Sequence, residues 1–124
     1  MLNCEMRREL IQHLEALADT RYQQECWVKG HCPPGIEYDE FDYVVHFIFD
    51  DTPLSDNPNN LIGVVLCDTL EADAIKQLTC SLNSIFDNYG MNLSDSEYIT
   101  KPEWRDVVAS AQKALNIFRQ NNQN

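Results

Sequence analysis

A chain of 124 residues with 44% apolar side chains is sized for one domain with a real hydrophobic core. Its four glycines and five prolines are too few for a collagenous or linker-like chain. Twenty Asp and Glu against nine Lys and Arg give a formal charge of −11. That balance argues against nucleic acid and anionic membrane as partners, because both are bound through cationic side chains on phosphates, and it favours a basic protein partner.

The first predicted element is an amphipathic helix from Glu5 to Ala18. Met6, Leu10, Leu14 and Leu17 recur at helical spacing, with Arg7, Arg8, Gln12 and Glu15 on the other face. Asp19 or Thr20 caps a short second helix through Trp27. Gly30 and Pro33-Pro34-Gly35 then break the chain into a loop. Asp39 caps a third helix, Glu40 to about Asp50, whose apolar stripe is Phe41, Val44, Val45, Ile48 and Phe49. Its β-branched and aromatic content suits a strand, but the spacing is helical. Thr52 to Asn60 has turn composition and is expected to be an exposed loop.

Leu61 to Leu66, six residues with one glycine, fits either a short buried strand or a core helix. Asp68 or Thr69 starts a long helix to about Tyr89, with Leu70, Ala74, Leu78, Leu82, Ile85, Phe86 and Tyr89 on its buried face and Gly90 closing it. Ser94-Asp95-Ser96-Glu97 is a capping box. Pro102 opens a last helix that buries Trp104, Val107, Val108, Ala111, Leu115 and Phe118. A polar tail, residues 120–124, is expected to fray. The predicted fold class is therefore all-α: a compact single-domain bundle of five or six helices over residues 1–119, with 61–66 as the one segment open to a strand.

No apolar stretch approaches the ~20 residues of a bilayer span, and the first eight residues run into charge rather than an apolar signal core. The five cysteines, Cys4, Cys26, Cys32, Cys67 and Cys80, are odd in number and irregular in spacing. They are expected to be reduced thiols in a cytoplasmic protein, with Cys67 and Cys80 as small buried hydrophobes.

Three constellations are candidates for chemistry. His46 and Asp50 lie one helical turn apart, with Asp51 beside them, a spacing that orients an imidazole or contributes to a divalent-metal site. No further ligands are nominated, so neither metal nor cofactor is expected. Cys26 with His31 and Cys32 lacks zinc-finger spacing, and no oxyanion or third-residue signal accompanies a Cys–His nucleophile. The third is the strip Tyr38-Asp39-Glu40-Phe41-Asp42-Tyr43, where tyrosines beside carboxylates suit an Arg- and Lys-rich surface. Phosphate loops, nucleophile elbows and His-Glu-x-x-His motifs are absent from the sequence, which makes a non-enzymatic protein the leading expectation.

The segments DTRYQQECW from Asp19, YDEF from Tyr38, HFIFDDT from His46, IGVVL from Ile62 and KPEWRDVV from Lys101 resemble a family of small bacterial proteins found in actinomycetes and proteobacteria. No activity is established for that family, so the resemblance carries no catalytic residue to this chain. In size, acidity and cytoplasmic character the chain is also similar in type to the immunity proteins of contact-dependent inhibition and other polymorphic toxin systems. The function expected is accordingly an immunity protein that binds a cognate basic toxin domain, often a nuclease, and occludes its active site or an essential surface. Segment 36–52 carries no Lys or Arg. The expected interface is Glu37, Tyr38, Asp39, Glu40, Asp42, Asp50, Asp51 and Asp56. The competing expectations are a small metal- or Cys-dependent enzyme using His46, Asp50 and Asp51, or Cys26 and His31, and a homodimeric structural domain.

Overall fold

In a computed structural model that describes residues 2–122, the chain is all-α, and no strand is formed among the described residues. Helix α1 is Cys4–Ala18. α2 is the short Thr20–Tyr22, which runs on into a π-helical segment Gln23–Val28. α3, Phe41–Val45, likewise continues as the π-helix His46–Asp51. Two 3-10 turns, Pro53–Ser55 and Pro58–Leu61, lead to α4, Thr69–Tyr89. α5 is Asp95–Tyr98 and α6 is Trp104–Asn122. The helix starts follow their capping chemistry. Asn3, Asp19 and Asp68 accept backbone N–H bonds from the first turns of α1, α2 and α4, and Ser94 with Glu97 forms the capping box of α5. Gly90 ends α4 at φ 79°, a conformation that side chains with a Cβ adopt only with strain.

α1 and α4 both pack against α6. The shared core contains Leu10, Leu14 and Leu17 from α1, Ile75, Leu78, Leu82 and Ile85 from α4, and Val107, Ala111, Ala114, Leu115 and Phe118 from α6. α3 closes one end with an aromatic cluster in which Phe41 meets the rings of Trp27, Phe86, Tyr98 and Trp104.

Several sequence expectations are corrected. Arg7 lies inside, not on the polar face of α1. Its guanidinium is bidentate to the fully buried Glu71, at 2.7 and 2.8 Å, donates to the Val65 carbonyl at 2.9 Å, and sits 4.7 Å from the centre of the Phe118 ring. Glu71 also accepts from the Cys67 backbone N–H and from Asn121. The buried face of α4 therefore includes Glu71, while its neighbour Leu70 is 63% exposed. Asn121 and Asn122 join this network, so α6 runs through Asn122 and the expected frayed tail is helix up to that residue. Residues 123 and 124 of that tail lie outside the described residues.

Segment 52–60 is only in part the exposed loop expected: Pro53, Asp56, Asn57, Asn59 and Asn60 are exposed, but the chain is wound into two 3-10 turns that bury Leu54 and Pro58, with Thr52 buried as the cap of the first. Leu61 closes the second 3-10 turn, and Ile62 to Leu66 forms neither strand nor helix. The Leu61 carbonyl accepts from the N–H groups of Val64, Val65 and Leu66 in a knot-like turn, with Gly63 at φ 90° and one isolated bridge between Ile62 and Leu66. Because the second half of the third helix is π-helical, its apolar stripe advances more slowly than 3.6-residue spacing assumes. Phe47 is buried and Phe49 only half-buried.

Candidate acidic face and groove

The nine Lys and Arg residues leave a gap: none lies between Lys29 and Lys76, an interval that contains ten of the twenty acids. Of these ten, Glu71 is buried against Arg7. Glu37, Asp42, Asp50, Asp51 and Asp56 are exposed, and no Lys or Arg forms an ion pair with any of them among the described residues. Tyr38 and Tyr43 stand among these acids, 59% and 47% exposed, with ring centres 6.0 Å apart in an edge-to-face pair. The Tyr38 hydroxyl donates to Glu40.

Asp39 has a different position from its neighbours. Its carboxylate is half-buried and accepts from the Tyr22 hydroxyl at 2.7 Å, the Trp27 indole N–H at 3.1 Å and the Glu40 backbone N–H at 2.9 Å. It clasps the 36–40 strip to α2 and its π-helical extension, and it does not cap α3 as the sequence suggests. The first α3 N–H, from Phe41, is taken by Asp95 of α5 at 3.1 Å. Burial raises the Asp95 carboxyl above the ordinary range. The Phe41 N–H opposes this, and the nearby charges of Glu40, Asp42 and Asp39 reinforce it. Burial first, then the bond to Asp39, raises the Tyr22 hydroxyl.

Beside the clasp lies a groove of about 530 Å³ between α1 and the chain at 35–39. Gln12, His13, Glu15, Ala16, Asp19, Tyr22, Gly35, Ile36, Tyr38 and Asp39 line it. It presents three carboxylates and no Lys or Arg, although Arg119 reaches Glu15 from α6 at 3.5 Å. This site is rich in acceptors and tyrosine rings, which suits an ammonium or guanidinium group. Sequence reasoning missed Glu15, His13 and Tyr22 as site residues. They appear as ordinary positions of α1 and α2, and nothing in the sequence signals that the 35–39 segment folds back over them.

The other two constellations are partly assembled. His46 bonds Asp50 through Nδ1 at 2.7 Å and approaches Asp42 through Nε2 at 3.3 Å, on the exposed face; Asp51 makes no bond to it. Among the described residues no group of three or more His, Cys, Asp or Glu side chains is arranged to hold a metal ion. Cys26 and Cys32 form a disulfide, so neither is the free thiol that the sequence suggested, and His31 instead faces Glu25 at 3.6 Å. Cys67 and Cys80 are free but exposed, not buried hydrophobes.

Half-buried His13 and exposed His46 titrate in opposite senses. Burial lowers His13 below 6.5, with Glu9 and Asp39 opposing. The bond to Asp50, followed by the charge of Asp42, raises His46 above 6.5. By linkage, His13 costs stability as pH falls below its unfolded value. The His46 contribution is complete below its unfolded value and is lost as pH rises through its folded one. NMR titration of the imidazole signals should place His46 above His13. Asp50→Asn should lower the His46 midpoint and leave that of His13 in place.

The profile of one family, a domain of unknown function designated DUF7945, matches residues 1–124. The chain belongs to the DUF7945 family. No curated protein and no solved structure matches the chain. The match covers every segment of the DUF7945 domain described above, the acidic face and the groove included. No helix of the domain, among the described residues, is long and apolar enough to cross a membrane.

Proposed function

We propose that this DUF7945 domain is an immunity protein, which binds a cognate basic toxin domain and occludes its active site or an essential surface. One observation carries the reading. Within the interval from Lys29 to Lys76, Glu37, Asp42, Asp50, Asp51 and Asp56 are exposed and none forms an ion pair with a Lys or Arg among the described residues, and two exposed tyrosines, Tyr38 and Tyr43, lie in the same stretch of chain. Unpaired surface carboxylates raise the rate of encounter with a cationic partner, and tyrosines among them supply rigid contact area. A toxin that acts on nucleic acid carries such cations on its active surface, so an acidic face that covers them would also block its substrate.

The contacts assigned to the interface are Glu37, Tyr38, Glu40, Asp42, Asp50, Asp51 and Asp56. Asp39 contributes by holding the strip in place as well as by its charge. The test is co-expression with the product of the neighbouring gene. The expected result is a stable complex that isolates on size-exclusion chromatography and protects cells from the toxicity of that product. Failure of the two purified chains to associate, with toxicity unrelieved, would end the immunity reading.

A further inference from the structure

From Val28 to Tyr38 every residue is exposed except Cys32, which is half-buried. No apolar side chain of this segment is fully buried; Ile36, its one aliphatic side chain at the groove, remains 40% exposed. Its backbone bonds to the helical body stop at His31, whose N–H reaches the Glu25 carbonyl at 2.7 Å, and the Ile36 N–H bonds only within the loop, to Pro33. Contact with the rest of the fold resumes at Tyr38, against Tyr43, and at Asp39, in the clasp with Tyr22 and Trp27. Between these two anchors, among the described residues, the bonded tie to the body is one covalent bond, from Cys32 to Cys26, whose own residue is 1% exposed in the π-helix. The segment so tied includes Gly35, Ile36 and Tyr38, one wall of the acidic groove.

We propose that the Cys26–Cys32 bond is a thiol–disulfide switch that fixes this groove wall when oxidised and frees it when reduced. The reductant is a dithiol. One of its thiolates attacks the Cys32 sulfur on the exposed loop. The Cys26–Cys32 bond breaks, a mixed disulfide with Cys32 forms, and Cys26 leaves as a thiolate that takes up the proton lost by the attacking thiol. The second thiol of the reductant then attacks its own sulfur in the mixed disulfide. Cys32 is released as a thiol and the reductant is oxidised to a cyclic disulfide, two electrons passing to the protein. Oxidation by a disulfide reverses these steps. Reduction leaves Cys26 seated in the core and removes the tie at Cys32, so residues 32–37 are held only at their ends. The helices, whose cores do not involve this bond, stay folded. The inference does not depend on the identity of the partner.

The experiment is alkylation of the folded protein before and after treatment with dithiothreitol, with backbone 15N relaxation on both forms. Three cysteines should react in the oxidised protein, Cys4, Cys67 and Cys80; after reduction without denaturant Cys32 should react as a fourth, and Cys26, seated in the core, only on unfolding. The amides of Gly35 to Tyr38 should be as ordered as the helices when oxidised and markedly more mobile when reduced, with α4 and α6 unchanged. Cys32→Ser without reductant should reproduce the reduced pattern. Reaction of Cys32 as a fourth cysteine after equilibration with an oxidising glutathione mixture would overturn the switch. So would a bond that yields to dithiothreitol only when the protein is unfolded, or identical loop dynamics in both forms.

Discussion

Arg7→Met should cost about 3–5 kcal/mol of stability, because it strands the buried Glu71 carboxylate without its cation. A domain of this size is stable by only about 5–15 kcal/mol, so the variant should melt roughly 10 °C or more below the parent. The double variant Arg7→Met with Glu71→Leu should lose less than the sum of the single changes, since removing both charges also removes their desolvation cost. It should not be neutral. The Val65 carbonyl, the Cys67 N–H and the Asn121 amide each lose a partner. The pair also sets a pH dependence. Burial pushes the Glu71 carboxyl up, but the bonds from Arg7, Asn121 and the Cys67 N–H outweigh it, and the net shift is downward from 4.5. A depressed carboxyl contributes stability above its unfolded value, and that stability is lost as pH falls through the folded one. Below about pH 4.5 the parent should therefore lose stability more steeply than Arg7→Met. Thermal denaturation of the three variants across pH checks all of this.

Trp104→Ala should be comparably damaging, at about 3–5 kcal/mol, by opening a cavity in the aromatic cluster with Phe41 and Trp27. The informative comparison is Trp104→Phe, which keeps most of the volume. The Trp104 indole N–H donates to the fully buried Gln23 at 2.9 Å, and Gln23 in turn donates to the Ala16 and Leu17 carbonyls at 2.9 and 3.0 Å. Trp104→Phe leaves the Gln23 oxygen buried without a donor, and a loss of about 1–3 kcal/mol is expected. Adding Gln23→Met should not restore the parent, because the carbonyls at the end of α1 then lose their donor. Denaturant titrations in which Trp104→Phe matched the parent would show that Gln23 is satisfied in another way.

The apolar periodicity of α1, α4 and α6 was readable because each helix buries one stripe against the others and the helix caps are short-range chemistry. Arg7 and Glu71 were not readable as core residues. Their burial depends on meeting each other across 64 positions of sequence, and each looks like a solvated residue in its own helix. The same holds for the disulfide. An odd cysteine count with irregular spacing signals free thiols, yet a π-helical turn and the bend at Gly30 bring the Cys26 and Cys32 Cα atoms within 4.3 Å. At the candidate site, the acid-rich strip and its lack of cations were plain from the sequence. The half-burial of Asp39, and the groove that α1 contributes, depend on how the 35–39 segment returns over α1 and α2, which no local pattern encodes.

Binding of a basic protein by the exposed acids is tested most directly by the rate of association with the neighbouring gene's product at two salt concentrations. Two triple variants accompany the parent. One is Glu37→Gln with Asp51→Asn and Asp56→Asn. The other is Glu5→Gln with Asp87→Asn and Asp106→Asn, an equal change of charge on other elements. All six side chains are exposed, so folding should survive in both. Association of the parent should slow as salt rises, because exposed charges are screened beyond about 8–10 Å at physiological ionic strength. The first triple variant should associate several-fold more slowly than the second at low salt, and the difference should shrink at high salt. Equal rates for the two variants, or association that salt does not affect, would contradict the assignment of this face to a basic partner.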